Sequence, residues 1–391
     1  MANITKRNNS YRFRVSNGYS VDGKQRFATK TWVVPEGMSD CRAEKEAARQ
    51  AVLFEEEVKG GASTSAIKFQ TFMDEWFRDY AELSLKEETL KSYRSNRRRL
   101  GEEFGHLRLD RITTRDIQRF VGKLSSAPRN DGKAGILAPK TIKHHVTMLS
   151  SIFSYAVKMQ IVLRNPCVNI TYPRRHEKPR EMLTLPEVQL LLTLLRKEND
   201  LMFPTYLTLA MYTGLRRGEL AGLEWKDINL DVGLLSVRRA AYYSTAKGYY
   251  TDTPKSKTSL RTLKLSADVL PLLRRYKAQQ AATAATLCNK WHDTDRLFTA
   301  WDGGNMYSNA AEEFYKKFCK QHGLRVVTLH SFRHLNASLL INAGLDVKVV
   351  QSALGHSSAM TTLNTYAHEF QTAAARASEA VSTAIGLSFS R

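Results

Sequence analysis

Two interruptions limit what this chain can fold into. Between Gly60 and Ala66 it reads GGASTSA, and the stretch after residue 165 carries Pro166, Pro173 and Pro179. A run of small residues offers no apolar side chain to a core, and each proline removes a backbone donor, so neither stretch carries a regular element through. The chain therefore divides into segments at 1–57, 66–165 and 180–391, each with its own core. A length of 391 residues suits two or three such units, and 42% hydrophobic with 25% charged residues is ordinary globular composition.

Each segment has its own periodicity. In SYRFRV, Tyr11, Phe13 and Val15 alternate with Arg12 and Arg14, and Asn17-Gly18 and Asp22-Gly23 supply turn chemistry before a second alternating run at Phe27, Thr29 and Thr31. The pattern predicts a small antiparallel sheet, with the charged helix CRAEKEAARQAVLFEEEV packed on one face. Arg12, Arg14, Lys24, Arg26 and Lys30 then lie along the sheet, either as a face for a DNA groove or as a solvated polar surface. From Phe69 the period changes to 3.6: Phe69, Phe72, Trp76 and Tyr80 form one apolar stripe, and three further helical patterns follow. Thr113 or Thr114 caps the third helix. Arg97, Arg98 and Arg99 stand together on the second, and Lys140, Lys143, His144 and His145 gather at the start of the fourth, where amides and side chains both reach phosphates. The last segment mixes helices with three strand-like runs, LLSVRRAAY, YYTDTPK and SLRTLKL. The expected class is multidomain α+β: a small N-terminal β-sheet, an all-α bundle, and a mixed, mainly helical domain with a small antiparallel sheet.

Charge narrows the function. The 59 Lys and Arg against 38 Asp and Glu leave +21, and residues 58–180 alone hold 24 basic against 12 acidic side chains. Such a field attracts a polyanion. Cys41, Cys167, Cys288 and Cys319 are scattered, without CxxC or a nearby His, which points away from zinc or a disulfide framework and towards a reducing cytoplasm. The N-terminus lacks a signal-peptide core, and no window holds 18 apolar residues.

Chemistry concentrates in the last segment. YTGLRRGELAGLEW sets Arg216 after an apolar helix and a glycine turn, with Glu219 three residues on; HSFRH sets His330 and Arg333 one turn apart; and DVKVVQSALGH, capped by Asp346 and ended by Gly355, delivers His356. Arg216, Lys257, His330, Arg333, His356 and Tyr366 supply two guanidiniums, an amine, two imidazoles and a phenol. Guanidinium forks grip the non-bridging oxygens of a phosphate and stabilise the charge of a pentacoordinate transition state. Lysine or imidazole can protonate a departing alkoxide, and a phenol activated by neighbouring bases and cations can attack phosphorus. These motifs contain no compact Asp and Glu cluster of the kind that holds paired metals.

TGLRRGEL, LHSFRH, LGHSSAMTTLNTYAH and PKSKTSLRTL together resemble the tyrosine recombinases, of the integrase type found in temperate phages and integrative conjugative elements. The resemblance covers the whole chain. It implies an arm-type DNA-binding domain over 1–57, a helical core-binding, SAM-like domain over 66–165 and a catalytic domain over 180–391. It further implies that Tyr366 attacks the scissile phosphate to form a 3′-phosphotyrosyl link, that Arg216 and Arg333 bind the phosphate, that His330 serves proton transfer or support, and that His356 bonds to the phosphate. Lys257 on a β-hairpin would be the general acid, with Lys255 two positions away on the same strand face as the competing choice, and Glu219 would orient Arg216. Neither metal nor ATP is implied. Partners are double-stranded core and arm attachment sites, a homotetramer built through a Holliday junction, and an excisionase or DNA-bending protein. The tail Glu369–Leu387 reads as an amphipathic helix, and SSAMTTLNT as a polar connector free to move. A type IB topoisomerase and a non-catalytic DNA-binding regulator are the competing readings.

Overall fold

The computed structural model of the chain describes residues 2–19, 25–59, 67–129, 132–174, 181–252, 257–307 and 309–366. The chain divides into two compact units, Met1–Glu177 and Lys178–Arg391. Lys24, Lys255, the GGASTSA run and the tail beyond Tyr366 lie outside the described residues, as do the side chains of Arg26 and Lys257.

In the first unit, strands β1 (Asn3–Arg7), β2 (Ser10–Tyr19) and β3 (Gln25–Val33) form an antiparallel sheet in that order. Helix α1 (Asp40–Lys59) follows. The alternation in β2 works as predicted, since Tyr11, Phe13 and Val15 are buried with Ala43, Ala47, Ala51, Phe54 and Val58 of α1. Directly opposed residues share a face. Arg12 pairs with Thr31 and Arg14 with Thr29, so both arginines belong to the face away from the helix, where the Arg14 guanidinium lies 3.7 Å over the exposed Phe27 ring. Lys30 pairs with Phe13 and is therefore on the helix side, its amine 5.7 Å from the Phe54 ring centroid. This corrects the single basic line expected along the sheet: the register sets even-numbered β2 residues opposite odd-numbered β3 residues, so Lys30 falls on the face of Tyr11, Phe13 and Val15.

A second core in this unit is helical. Helix α2 (Phe69–Trp76) continues through a π-helical turn, Phe77–Ala81, into α3 (Glu82–Ser84), followed by α4 (Glu87–Phe104), α5 (Thr114–Ser126) and α6 (Pro139–Lys158). Phe69, Phe72 and Trp76 are buried with Phe104, Phe120 and Phe153, each such side chain contributing about 2–3 kcal/mol. Thr113 caps α5, accepting from the Asp116 amide while the Asp116 carboxylate accepts from the Thr113 amide. Lys140, Lys143 and His144 stand exposed at the start of α6, but His145 does not join them. It is wholly buried against Phe120, with Nδ1 donating to the Thr141 carbonyl, because the helical period turns it into the core. Arg97 is paired with Asp74 at 2.7 Å and Arg98 with Glu102 at 3.2 Å.

The second unit opens with α7 (Leu185–Leu195), the buried α8 (Met202–Thr213) and the short α9 (Arg217–Ala221). The three expected strand runs hold four strands, and a short strand before them joins one of this unit's two sheets among the described residues. β4 (Ile228–Asn229), β5 (Leu234–Val237) and β8 (Arg261–Lys264) make one, in the order β4-β5-β8; β6 (Ala240–Ser244) and β7 (Gly248–Asp252) make a separate hairpin. The run LLSVRRAAY splits at Arg238-Arg239 because Arg239 turns inward to Asp227, at 2.6 Å, and Glu224, at 2.7 Å. Helices α10 (Leu270–Leu287), α11 (Ala310–Gln321), α12 (Leu329–Asn342), α13 (Val347–Leu354) and α14 (Ala359–Thr365) complete the unit. No described helix is long and apolar enough to cross a membrane.

Candidate active site

Two helix C-termini organise the site. Helix α8 ends on Gly214 and α13 on Gly355, both in the left-handed region with φ of 60° and 64°. A Cβ on Gly214 would stand 2.8 Å from Asn336 Oδ1, and one on Gly355 2.8 Å from an Arg261 guanidinium nitrogen, so both positions require glycine. Carbonyls at a helix end lack intrahelical donors and carry the negative end of the dipole. Guanidiniums fill that vacancy here. Arg333, on α12 and only 2% exposed, donates Nη1 to the Gly214 carbonyl at 2.8 Å and Nη2 to the Leu354 carbonyl at 2.6 Å. Arg216, just before α9, donates Nη2 to the Gly355 carbonyl at 2.9 Å. Asn336, on the same helix as Arg333, donates to the Met211 and Tyr212 carbonyls and ties α12 to the end of α8.

Glu219 anchors the other side. Its side chain is 3% exposed and accepts from Arg216 Nη1 at 2.6 Å, from the Arg216 amide at 3.1 Å and from Arg261 Nη2 at 3.0 Å. Burial raises its pKa, but the charges and hydrogen bonds of Arg261 and Arg216 outweigh that and hold it below the usual carboxylate range. Arg216 keeps 38% of its side chain exposed, so the pair presents a cation outward on a buried acid.

Three guanidiniums around one carboxylate leave a surplus of positive charge. Burial, then the Arg216 and Arg261 charges, push Arg333 down to about 9. His356, just past Gly355, is pushed down to about 4 by burial and by Arg333, Arg216, Arg261 and His330. Its ring is therefore neutral near pH 7, and Nδ1 is hydrogen-bonded to Thr362 Oγ1 at 2.8 Å. A buried cation surplus of this kind is relieved by an anion, and a phosphate oxygen matches both the guanidinium forks and the imidazole.

Of the residues singled out in the sequence, Arg216, Glu219, Arg333, His356 and His330 share this electrostatic neighbourhood, with His330 exposed at the start of α12. Tyr366 ends α14; it is 2% exposed and packed with Ala337, Ile341, Val350 and Leu354. The polar connector is in fact a seven-residue helix capped by Ser358, whose hydroxyl accepts from the Met360 amide. A Ser–x–x run read as loose is here a cap followed by a turn with buried Thr362. Lys257 opens a 3-10 turn, Lys257–Ser259, joining β7 to β8. This turn stands in place of the expected hairpin strand, since β7 pairs with β6 and β8 with β5.

Four further side chains, Arg261, Ser259, Thr362 and His334, contact the candidate residues without being singled out by the sequence motifs. Arg261 donates to the Ala353 and Ser259 carbonyls as well as to Glu219, and is 6% exposed while neighbouring Leu260 is 53% exposed. An arginine occupying the inner register of a strand, with a leucine outside, was the available signal. Ser259 lies 3.4 Å from Arg216, Thr362 holds His356, and His334 bonds the Tyr366 phenol at 2.8 Å.

Residues 181–372 match the phage integrase family, and residues 68–125 match the phage integrase N-terminal SAM-like domain. The ICEBs1 integrase of Bacillus subtilis (strain 168) is 30% identical over 260 residues, 66% of this chain and 68% of that protein. The chain belongs to the phage integrase family. Members include tyrosine recombinases, and this chain is a tyrosine site-specific recombinase. Its fold is shared with the Tn1549 transposon integrase in complex with transposon right end DNA, at TM-score 0.67 and 22% identity over 81% of this chain and all of that one. It is also shared with a lambda integrase tetramer bound to a Holliday junction, at TM-score 0.52 and 19% identity over 92% and 94% of the two chains.

Proposed function

We propose that the chain integrates and excises a mobile DNA element by cutting and rejoining strands through a 3′-phosphotyrosyl intermediate and a Holliday junction. The observation that carries this reading is the pair of guanidiniums, Arg216 and Arg333, fixed on the carbonyls of Gly355, Gly214 and Leu354 around buried Glu219. Preorganised cations in a dry site stabilise a pentacoordinate phosphorane without rearranging at the moment of reaction. In this reading Tyr366 is the nucleophile, Arg216 and Arg333 hold the non-bridging oxygens, neutral His356 bonds to one of them, His330 supports proton movement, and Lys257 protonates the departing 5′ oxygen. The energy of the broken phosphodiester is kept in the tyrosyl ester, so rejoining needs no nucleotide.

DNA contacts divide by segment: 1–57 takes arm-type sites through Arg12 and Arg14, 66–165 takes core-type sites through Lys140, Lys143 and His144, and 180–391 holds the chemistry. Arg97 and Arg98 contribute to the field. The working form is a homotetramer on two duplexes, assisted by an excisionase or bending protein, in the cytoplasm at the nucleoid. The similarity to the ICEBs1 and Tn1549 integrases favours recombination over relaxation. Incubating two labelled duplexes carrying the element's ends with the protein in EDTA tests it. Strand exchange with a trapped four-way junction is expected; relaxation of supercoils without exchange overturns it.

A further inference from the structure

The phenol of Tyr366 lies within electrostatic reach of Arg333 and is hydrogen-bonded to a different residue of the same helix. Its Oη is hydrogen-bonded to His334 Nδ1 at 2.8 Å, with the rings 5.6 Å apart at 61°. In the tautomer with its proton on Nε2, the ring presents Nδ1 as an acceptor to the phenolic hydrogen. His334 sits on α12 directly after Arg333 and one turn after His330, whose ring stands edge-on to it at 4.8 Å. Beyond the two imidazoles is a pocket of about 500 Å³, which Glu181, Glu312 and Lys316 also line. His334 thus touches a buried hydroxyl on one side and an open, carboxylate-bearing pocket on the other. His356 does not compete for this part, because its Nδ1 is occupied by Thr362 and the surrounding guanidiniums make its ring a poor proton acceptor.

We propose that His334 is the general base for the tyrosine nucleophile, an inference that rests on the phosphotyrosyl reading above. As Tyr366 Oη bonds to phosphorus and the P–O5′ bond breaks, the phenolic proton passes to His334 Nδ1, giving an imidazolium on a pocket that Glu181 also lines, Glu312 there being paired with Lys316 at 2.6 Å. The 5′ oxygen takes its proton from the general acid. On rejoining, the 5′ hydroxyl returns its proton to the deprotonated general acid as it attacks phosphorus, the P–Oη bond breaks, and His334 returns its proton to the phenolate. A donor–acceptor distance within 2.6–3.2 Å is what such a transfer requires.

Single-turnover adduct formation on a nicked suicide duplex tests this with His334→Ala and His334→Gln, each with and without free imidazole. Glutamine accepts the phenolic hydrogen bond but cannot take the proton. Both variants are expected to form adduct about 10²–10⁴-fold more slowly, and imidazole, entering by the open pocket, is expected to restore at least tenfold in the alanine variant alone. Adduct formation at the wild-type rate or faster in either variant overturns the proposal, the faster result making His334 a latch. So does loss in the alanine variant that imidazole leaves unchanged while melting temperature and DNA affinity match wild type. Should alanine unfold the protein, the glutamine variant decides by its rate alone. Wild-type protein that forms no adduct defeats the recombinase reading itself and is thereby told apart from failure of the base assignment.

Discussion

Replacing Arg261 with alanine strips Glu219 of one of its two cationic partners and leaves the Ala353 and Ser259 carbonyls without their donor. Removing one member of a buried pair costs about 3–5 kcal/mol, because the partner stays charged and dry. Denaturant unfolding of Arg261→Ala is expected to show a loss of that order, and cleavage should fall further than stability predicts, since Arg216 loses its oriented carboxylate; unchanged unfolding contradicts this. His356 makes a different prediction. Its folded value near 4 lies below the ordinary imidazole value of about 6.5. Between those limits the unfolded chain binds the extra proton, so stability is fully present above about pH 6.5, declines as pH falls, and levels off below about 4. For a half-buried ring the loss is on the order of 2 kcal/mol after screening. The pH series of unfolding free energies for wild type and His356→Asn checks it: the slope between 6.5 and 4 should flatten in the variant.

Helix ends rather than helix bodies build the site, which explains what was legible beforehand. Gly355 could be read as a terminator from its place after an apolar period, and Asp346 as a cap four residues before the inward Val350. Where those ends meet could not be read, because Arg333 reaching Gly214 spans 119 residues of chain. The same limit hid Arg261, Thr362 and His334, whose partners lie 42, 6 and 32 residues away. The inward turn of His145 is within reach of simple periodicity; the face of Lys30 is not, because it is set by the β2–β3 register. For His145 the helical spacing with Ile142 and Leu149 points inward despite the neighbouring charges, whereas the face of Lys30 depends on which β2 residue it opposes. Gly355→Ala tests the helix end itself. Leaving the left-handed region costs about 1–2 kcal/mol, and the new Cβ also meets Arg261 at 2.8 Å. Thermal melts should show that loss together with weaker cleavage, whereas a Ser352→Ala control on the exposed side of α13 should show neither.

The charge of the complete chain, +21, makes salt the first handle on DNA affinity. Affinity should fall linearly in log–log form with salt, and Arg12→Ala with Arg14→Ala should reduce that slope on arm-type DNA while leaving core-type DNA unchanged; filter binding across a salt series measures both. An equal reduction on both substrates contradicts separate addresses for residues 1–57 and 66–165. All of this serves one claim, that Tyr366 attacks phosphorus within a cradle of Arg216, Arg333 and His356. The direct measurement is mass spectrometry of the covalent adduct trapped on a nicked duplex. Wild type should yield one DNA-linked peptide, modified at Tyr366, and Tyr366→Phe should bind the duplex with wild-type affinity and yield none. An adduct on any other residue, or one that persists in Tyr366→Phe, would contradict the account.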